Sequence, residues 1–246
     1  ITHLVADTLL ALDQKLHARG ARRDRNWPLR ISELTFGLAQ RDPNLPQALL
    51  THPLFGRPDH ALFARVEGFD LSSAAERFLD RAEADPDFHW NAEVVAVVGS
   101  LPSDRSRSLL RSLWGRFGLE ESILPILATA PIADDRPKFL AGLRSSQTST
   151  LTAALDGLDR LNLSDDPDER LALITALRRL PSGPIRTRIA DMLAQSTDRP
   201  LGDDPTAWDS WFAETYPDRQ ASLTGSDGVD RLAWARRLDA IDWKTG

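Results

Sequence analysis

The chain contains no cysteine. Disulfides, iron–sulfur clusters, thiolate zinc sites, cysteine nucleophiles and covalent haem attachment are therefore excluded within these residues. Lysine is nearly missing: it occurs only at Lys15, Lys138 and Lys244, so arginine supplies almost all of the positive charge. That bias, with abundant Ala, Leu and Asp, points to a GC-rich bacterial genome. No run approaches the roughly 18 apolar residues needed to cross a bilayer, and no charged-then-apolar export signal opens the chain. The net charge is −6. A duplex-binding protein needs a positive field to displace counterions from phosphates, and this balance argues against one. Glycine-rich phosphate loops and a Gly-x-Ser-x-Gly elbow are also missing.

What is present is ordinary for a globular protein, with 41% hydrophobic and 27% charged residues. The chain opens on Ile1 and its only methionine is Met192. The expectation is a piece of a longer protein, with any targeting segment upstream.

Helical periodicity runs from end to end. Residues 3–18 place Leu4, Val5, Thr8, Leu9, Leu12 and Leu16 on one predicted face. Asn26-Trp27-Pro28 starts a second helix, with Pro where its missing N–H costs nothing. Four prolines break residues 42–58 into short pieces, with one brief helix at 46–51. Further helices are predicted at about 59–67, 71–84 and 91–99. Val94, Val95, Val97 and Val98 form the most strand-like run, but Asn91 before it and Gly99 after it favour a helix.

From residue 100 the chain repeats itself loosely. Leu101-Pro102-Ser103, Leu143-Arg144-Ser145 and Leu180-Pro181-Ser182 each open an amphipathic segment, and these openings recur about every 40 residues, the period of HEAT and armadillo units. In each, the Leu would end one helix in the core and a Ser or Thr there would cap the next. Partner helices are predicted at 119–129, 135–143 and 167–180. The fold class expected is all-α, an α-α superhelix of HEAT/armadillo-like hairpins, with an irregular helical bundle as the alternative. Residues 205–215 form a further helix, 218–228 a polar loop and 227–240 a last amphipathic helix.

Residues with chemistry are few. His3, His17, His52, His60 and His89 make no metal-binding pair and read as surface or partly buried imidazoles. Asp134-Asp135, Asp165-Asp166 and Asp203-Asp204 precede helices and read as caps. Arg19, Arg22, Arg23, Arg25 and Arg30, with Trp27 among them, form the densest basic patch. It is either a solvated loop or a docking point for carboxylates. Trp208, Trp211 and Phe212, at i, i+3 and i+4, make one aromatic face that would close the end of the array.

The stretch Asp204-Pro205-Thr206-Ala207-Trp208-Asp209-Ser210-Trp211-Phe212-Ala213-Glu214-Thr215-Tyr216-Pro217 resembles a segment of large, planctomycete-type multidomain proteins in which HEAT-like repeats precede a c-type cytochrome domain. Leu238-Asp239-Ala240-Ile241-Asp242-Trp243-Lys244-Thr245-Gly246 is similar to the lead-in to that cytochrome. Arg136-Pro137-Lys138-Phe139-Leu140-Ala141-Gly142-Leu143 is similar to a repeat helix of the group. The likeness covers roughly the last 115 residues and departs from the group in having no Cys-x-x-Cys-His. It implies a parent exported to the periplasm, with haem held beyond Gly246 and no cofactor in this segment.

The organisation expected is an N-terminal helical region at 1–100, repeats at 101–200, and capping helices with the lead-in at 201–246. The expected role is a non-catalytic scaffold or interaction module, with other domains of the parent or another protein as partner. A HEAT-like nucleic-acid-processing enzyme of the DNA glycosylase type and a stand-alone peptide-binding adaptor are the alternatives. No catalytic or metal residues are expected. The candidate interaction or structural residues are Arg22, Arg23, Arg25, Trp27, Trp208, Trp211 and Phe212.

Overall fold

A computed structural model describes residues 1–18 and 26–219. The described residues are all-α, with no strand among them. They divide into two compact units, Ile1–Pro131 and Ile132–Gly246.

In the first unit α1 (Thr2–Ala18) packs on α2 (Trp27–Ala39) and α3 (Leu45–Thr51). A 3-10 segment, Pro58–Arg65, stands where a helix at 59–67 was predicted, and lies against α2. Then come α4 (Leu71–Ala84), α5 (Ala92–Gly99), α6 (Asp104–Ser112) and α7 (Glu120–Leu127). Asp70 caps α4 by accepting from the Ser72 and Ser73 N–H groups, and Asn91 caps α5 by accepting from Val94. The valine run is thus helical, and all four valines are buried between neighbouring helices. Phe55, Phe63, Phe78, Leu49 and Leu79 fill the centre.

The predicted face of α1 holds only in part: Leu9 is buried and Val5 and Leu16 are half-buried, but Thr8 is exposed. Leu4 and Leu12 are 69% and 41% exposed, whereas Ala6, Leu9, Leu10 and Asp13 are buried. Polar and apolar residues alternate around this helix, and Asp13 on its buried side meets Arg57 and His60.

In the second unit a 3-10 turn (Ala133–Asp135) leads into α8 (Arg136–Gly142), followed by α9 (Thr148–Arg160), α10 (Pro167–Arg179), α11 (Pro184–Thr197) and α12 (Pro205–Thr215). α8 pairs with α9 and α10 with α11; α9 also touches α11, and α12 lies on α10. The α8–α9 contact depends on Gly157, where an added Cβ would sit 2.5 Å from the Phe139 ring.

Of the serines in the three openings, only Ser103 acts as a cap, accepting from Ser106 N–H. Gln147 and Gly183 occupy the cap positions of α9 and α11. Ser145 instead closes a local turn by accepting from Gln147 N–H. Pro217–Arg219 forms a 3-10 turn where the polar loop was placed. The predicted helix at 227–240 and the stretch 238–246 lie outside the described residues.

Candidate functional site

The aromatic segment is the predicted site that lies within the described residues. Asp204 starts α12 by accepting from Thr206 N–H at 2.9 Å, which sets Trp208 and Phe212 on the side facing α10. Both are fully buried. The Trp208 indole donates to the Gly202 carbonyl at 2.7 Å, so its one polar atom is satisfied. Trp211 is half-buried and meets Trp208 and Tyr216 edge-on, with centroids 5.7 and 6.0 Å apart. Arg178 pairs with Asp209, and Arg170 donates to the Tyr216 hydroxyl. Trp208 and Phe212 are therefore core residues of the second unit, and Trp211 is the one with an open face. Arg22, Arg23 and Arg25 lie outside the described residues, as does the Trp27 side chain; Arg30 is exposed on α2.

Two buried polar clusters were not foreseen. In the first unit His60 and Asp13, 1% and 2% exposed, lie 2.9 Å apart from Nε2 to Oδ2. The Gly56 N–H donates to His60 Nδ1 at 3.1 Å, so Nε2 carries the ring proton and donates to Asp13. Phe63 stacks on the ring at 5.2 Å and Phe55 covers it at 5.4 Å. Arg57 pairs with Asp13, and burial lowers the Arg57 pKa, an effect partly opposed by Asp59. A second clasp repeats the arrangement nearer the surface: His52 Nε2 meets Asp7 at 2.9 Å while its Nδ1 accepts from Leu54 N–H. Both clasps tie α1 to the segment around residues 52–60. His60 was read as a surface or partly buried imidazole. Its partner is 47 residues away, and a distance of that kind leaves no local signal.

In the second unit Glu169, fully buried on α10, accepts from Arg136 Nη1 at 2.6 and 2.8 Å and from the Ser164 backbone and hydroxyl. Arg136 also donates to the Leu161 and Asn162 carbonyls at 3.1 and 2.9 Å. The neighbouring Arg170 donates to Asp165 and to the Ser196 carbonyl. Of the paired aspartates, Asp166 and Asp204 do cap helices, by accepting from Asp168 and Thr206 N–H. Asp135 is fully buried and accepts from Ile132 N–H at 3.1 Å with Lys138 at 3.2 Å.

An open crevice of about 200 Å³, lined by Asp159, Asn162, Leu163, Met192, Gln195 and Ser196, runs beside this second cluster. Asn162 and Ser196 of its lining have their carbonyls held by Arg136 and Arg170. Among the described residues no group of three or more His, Asp or Glu is gathered so as to hold a metal ion, and no helix is long and apolar enough to cross a membrane. No family model, no curated protein and no solved structure matches this chain.

Proposed function

We propose that this chain is a non-catalytic helical-repeat module of the HEAT-like kind, which spaces or docks other parts of a larger, exported protein carrying a c-type cytochrome domain. One observation carries the non-catalytic part. The buried ionisable side chains Asp13, His60, Asp135 and Glu169 are each engaged by neighbouring helices and loops, and Arg170, whose Nε has no hydrogen-bond partner, donates through its other two nitrogens to Asp165 and the Ser196 carbonyl. A general base or nucleophile needs a free lone pair within reach of a substrate, and Glu169 has both oxygens engaged. The pairing of α8 with α9 and of α10 with α11, joined through α9 and α11, supports the repeat reading, as does the spacing of the segment openings. The cytochrome association rests on the likeness of residues 204–217 and 238–246 to the repeat-cytochrome proteins.

The native gene downstream of Gly246 tests the family part: a Cys-x-x-Cys-His within a few dozen codons is expected, and an uninterrupted different domain there refutes it. For the module itself, the purified chain should show no Soret band and should not bind a DNA duplex at low salt with micromolar or tighter affinity. Either signal would return the chain to the redox or nucleic-acid enzymes.

A further inference from the structure

The two histidines joined to α1 are built alike and differ in one respect that decides how each responds to acid. In both, Nδ1 accepts a backbone N–H at 3.1 Å, from Gly56 for His60 and from Leu54 for His52, and Nε2 meets an aspartate of α1 at 2.9 Å, Asp13 or Asp7. A proton arriving at Nδ1 sets two N–H donors against each other, so the backbone bond is lost in either case. At His52 water replaces that bond, because the ring is partly open and Asp7 is exposed, and the new imidazolium faces a carboxylate of its own. His60 has neither outlet. Its ring is 1% exposed between Phe55 and Phe63, and the carboxylate it faces already pairs with Arg57. A second cation on Asp13 leaves positive charge out of reach of water, which burial disfavours.

The other charged groups on the elements around the rings do not remove that penalty. Asp59 follows Arg57 by two residues, and at Arg57 burial lowers the pKa by more than Asp59 raises it. From α4, Arg77 and Arg81 bring further positive charge, their guanidiniums on the His52 and Pro53 carbonyls. Glu76, Asp80 and Glu83 of the same helix are exposed and taken by Arg105. On α2 Arg30 and Glu33 are exposed, as are His3 and Lys15 on α1, and Glu93 of α5 is partly open to water; water screens such charges. α3 carries no charged residue. A further tie on α1 keeps its charge near neutrality: Thr2 donates to Asp42 at 2.6 Å, and that bond, followed by the Asn44 N–H, lowers the Asp42 pKa.

We propose that His60 is an acid-sensitive latch: a proton on its Nδ1 frees α1 from the segment around residues 52–60, so the first helix is docked at neutral pH and leaves its seat on α2 and α3 as pH falls. A ring released into water binds the proton more readily than the docked ring, so acid draws the protein toward the undocked state. What acid uncovers is the apolar side of α1, with Ala6, Leu9 and Leu10. The latch stands independently of the docking reading above. Amide hydrogen exchange of the full chain, resolved by residue and divided by the intrinsic chemical rate at each pH, tests it. Between about pH 7.5 and about pH 5 the protection of α1 and of the Gly56 N–H should fall at least about tenfold, whereas α9, α10 and α11 keep theirs within about threefold. His60→Asn, whose amide oxygen stands near the place of Nδ1 and takes no proton in this range, should leave α1 protection flat. His52→Asn should leave the wild-type fall in place. Constant α1 protection in the wild-type chain overturns the proposal, as does a fall that survives His60→Asn, that disappears in His52→Asn, or that α9, α10 and α11 share in full. If His60→Asn does not fold, the ring protons of the wild-type histidines decide by NMR. The His60 ring is expected to become protonated only as α1 protection is lost, and a protonated ring beneath a still protected α1 refutes the latch.

Discussion

Arginine rather than lysine supplies nearly all the cations, and the structure gives that preference a mechanical use. Arginines repeatedly reach across to the carbonyl end of a neighbouring helix. Arg77 and Arg81 of α4 hold the His52 and Pro53 carbonyls after α3, at 3.2 and 2.7 Å. Arg136 of α8 holds the end of α9, and Arg179 of α10 holds Leu143 and Ser145 at the end of α8, at 2.7 and 3.1 Å. Arg186 bridges Leu180 and Asp203. The last carbonyls of a helix lack intrahelical donors and carry partial negative charge; a planar fork can serve two or three of them at once, which an ammonium on a flexible stem cannot do with fixed geometry. Arg136→Lys should therefore lower the unfolding free energy by about 1–3 kcal/mol despite keeping the charge, as measured by urea denaturation. From the sequence this bias reads only as genome composition, because the carbonyls held by Arg81, Arg136 and Arg179 lie 28, 25 and 36 residues away. Local chemistry is more legible: Asp70, Asn91, Asp166 and Asp204 all precede helices and all cap them. The Ser73 hydroxyl, then the backbone N–H groups of Ser73 and Ser72, lower the Asp70 pKa. A carboxylate lowered in the folded state stabilises above its unfolded pKa, near 4, and loses that contribution as pH falls through the folded value. An NMR titration should find Asp70 below a free aspartate, and Asp70→Asn should flatten the acid side of the stability profile between pH 4 and the folded value.

At the scale of helices, the positions of α3, α4, α5, α7, α8, α10 and α12 are close to those read from periodicity and punctuation. Their facing is less legible, as α1 shows. Leucine at 4, 9, 10, 12 and 16 leaves two faces almost equally apolar, and local pattern cannot choose between them. In the observed facing the Asp13 carboxylate meets His60 and Arg57, and turning Leu4 and Leu12 inward would carry it away from them. The starts of α9 and α11 were also misread. Ser145 and Ser182 have the right chemistry, but the chain turns one or two residues later, at Gln147 and Gly183. Close helix approach depends on a single missing side chain. With Phe139 touching Gly157, Gly157→Ala should cost about 1–3 kcal/mol through overpacking, although alanine is the better helix former. Phe139→Leu in the same chain should restore part of the loss, and thermal melts of the single and double variants would show a coupling between them.

For the whole molecule, the all-α class was readable because helical period, caps and turn residues agree along the chain. The two-unit division at Pro131/Ile132 follows from long-range contacts that periodicity does not encode. The same holds for the buried ionic clusters, which join residues tens of positions apart and are the features of this fold that most resemble an active site. Reading them as structural rather than catalytic is the central claim, and the two roles have opposite signatures in stability. Charged groups gathered for chemistry are commonly held at a cost, so neutral replacement tends to stabilise the fold. Charged groups that tie helices together lose buried partners on replacement, which destabilises it by about 3–5 kcal/mol for an ion pair broken from one side. The decisive measurement is urea unfolding of Asp13→Asn and Glu169→Gln beside the wild-type chain. A clearly lower midpoint for both is the predicted result; an unchanged or higher midpoint for either would contradict it.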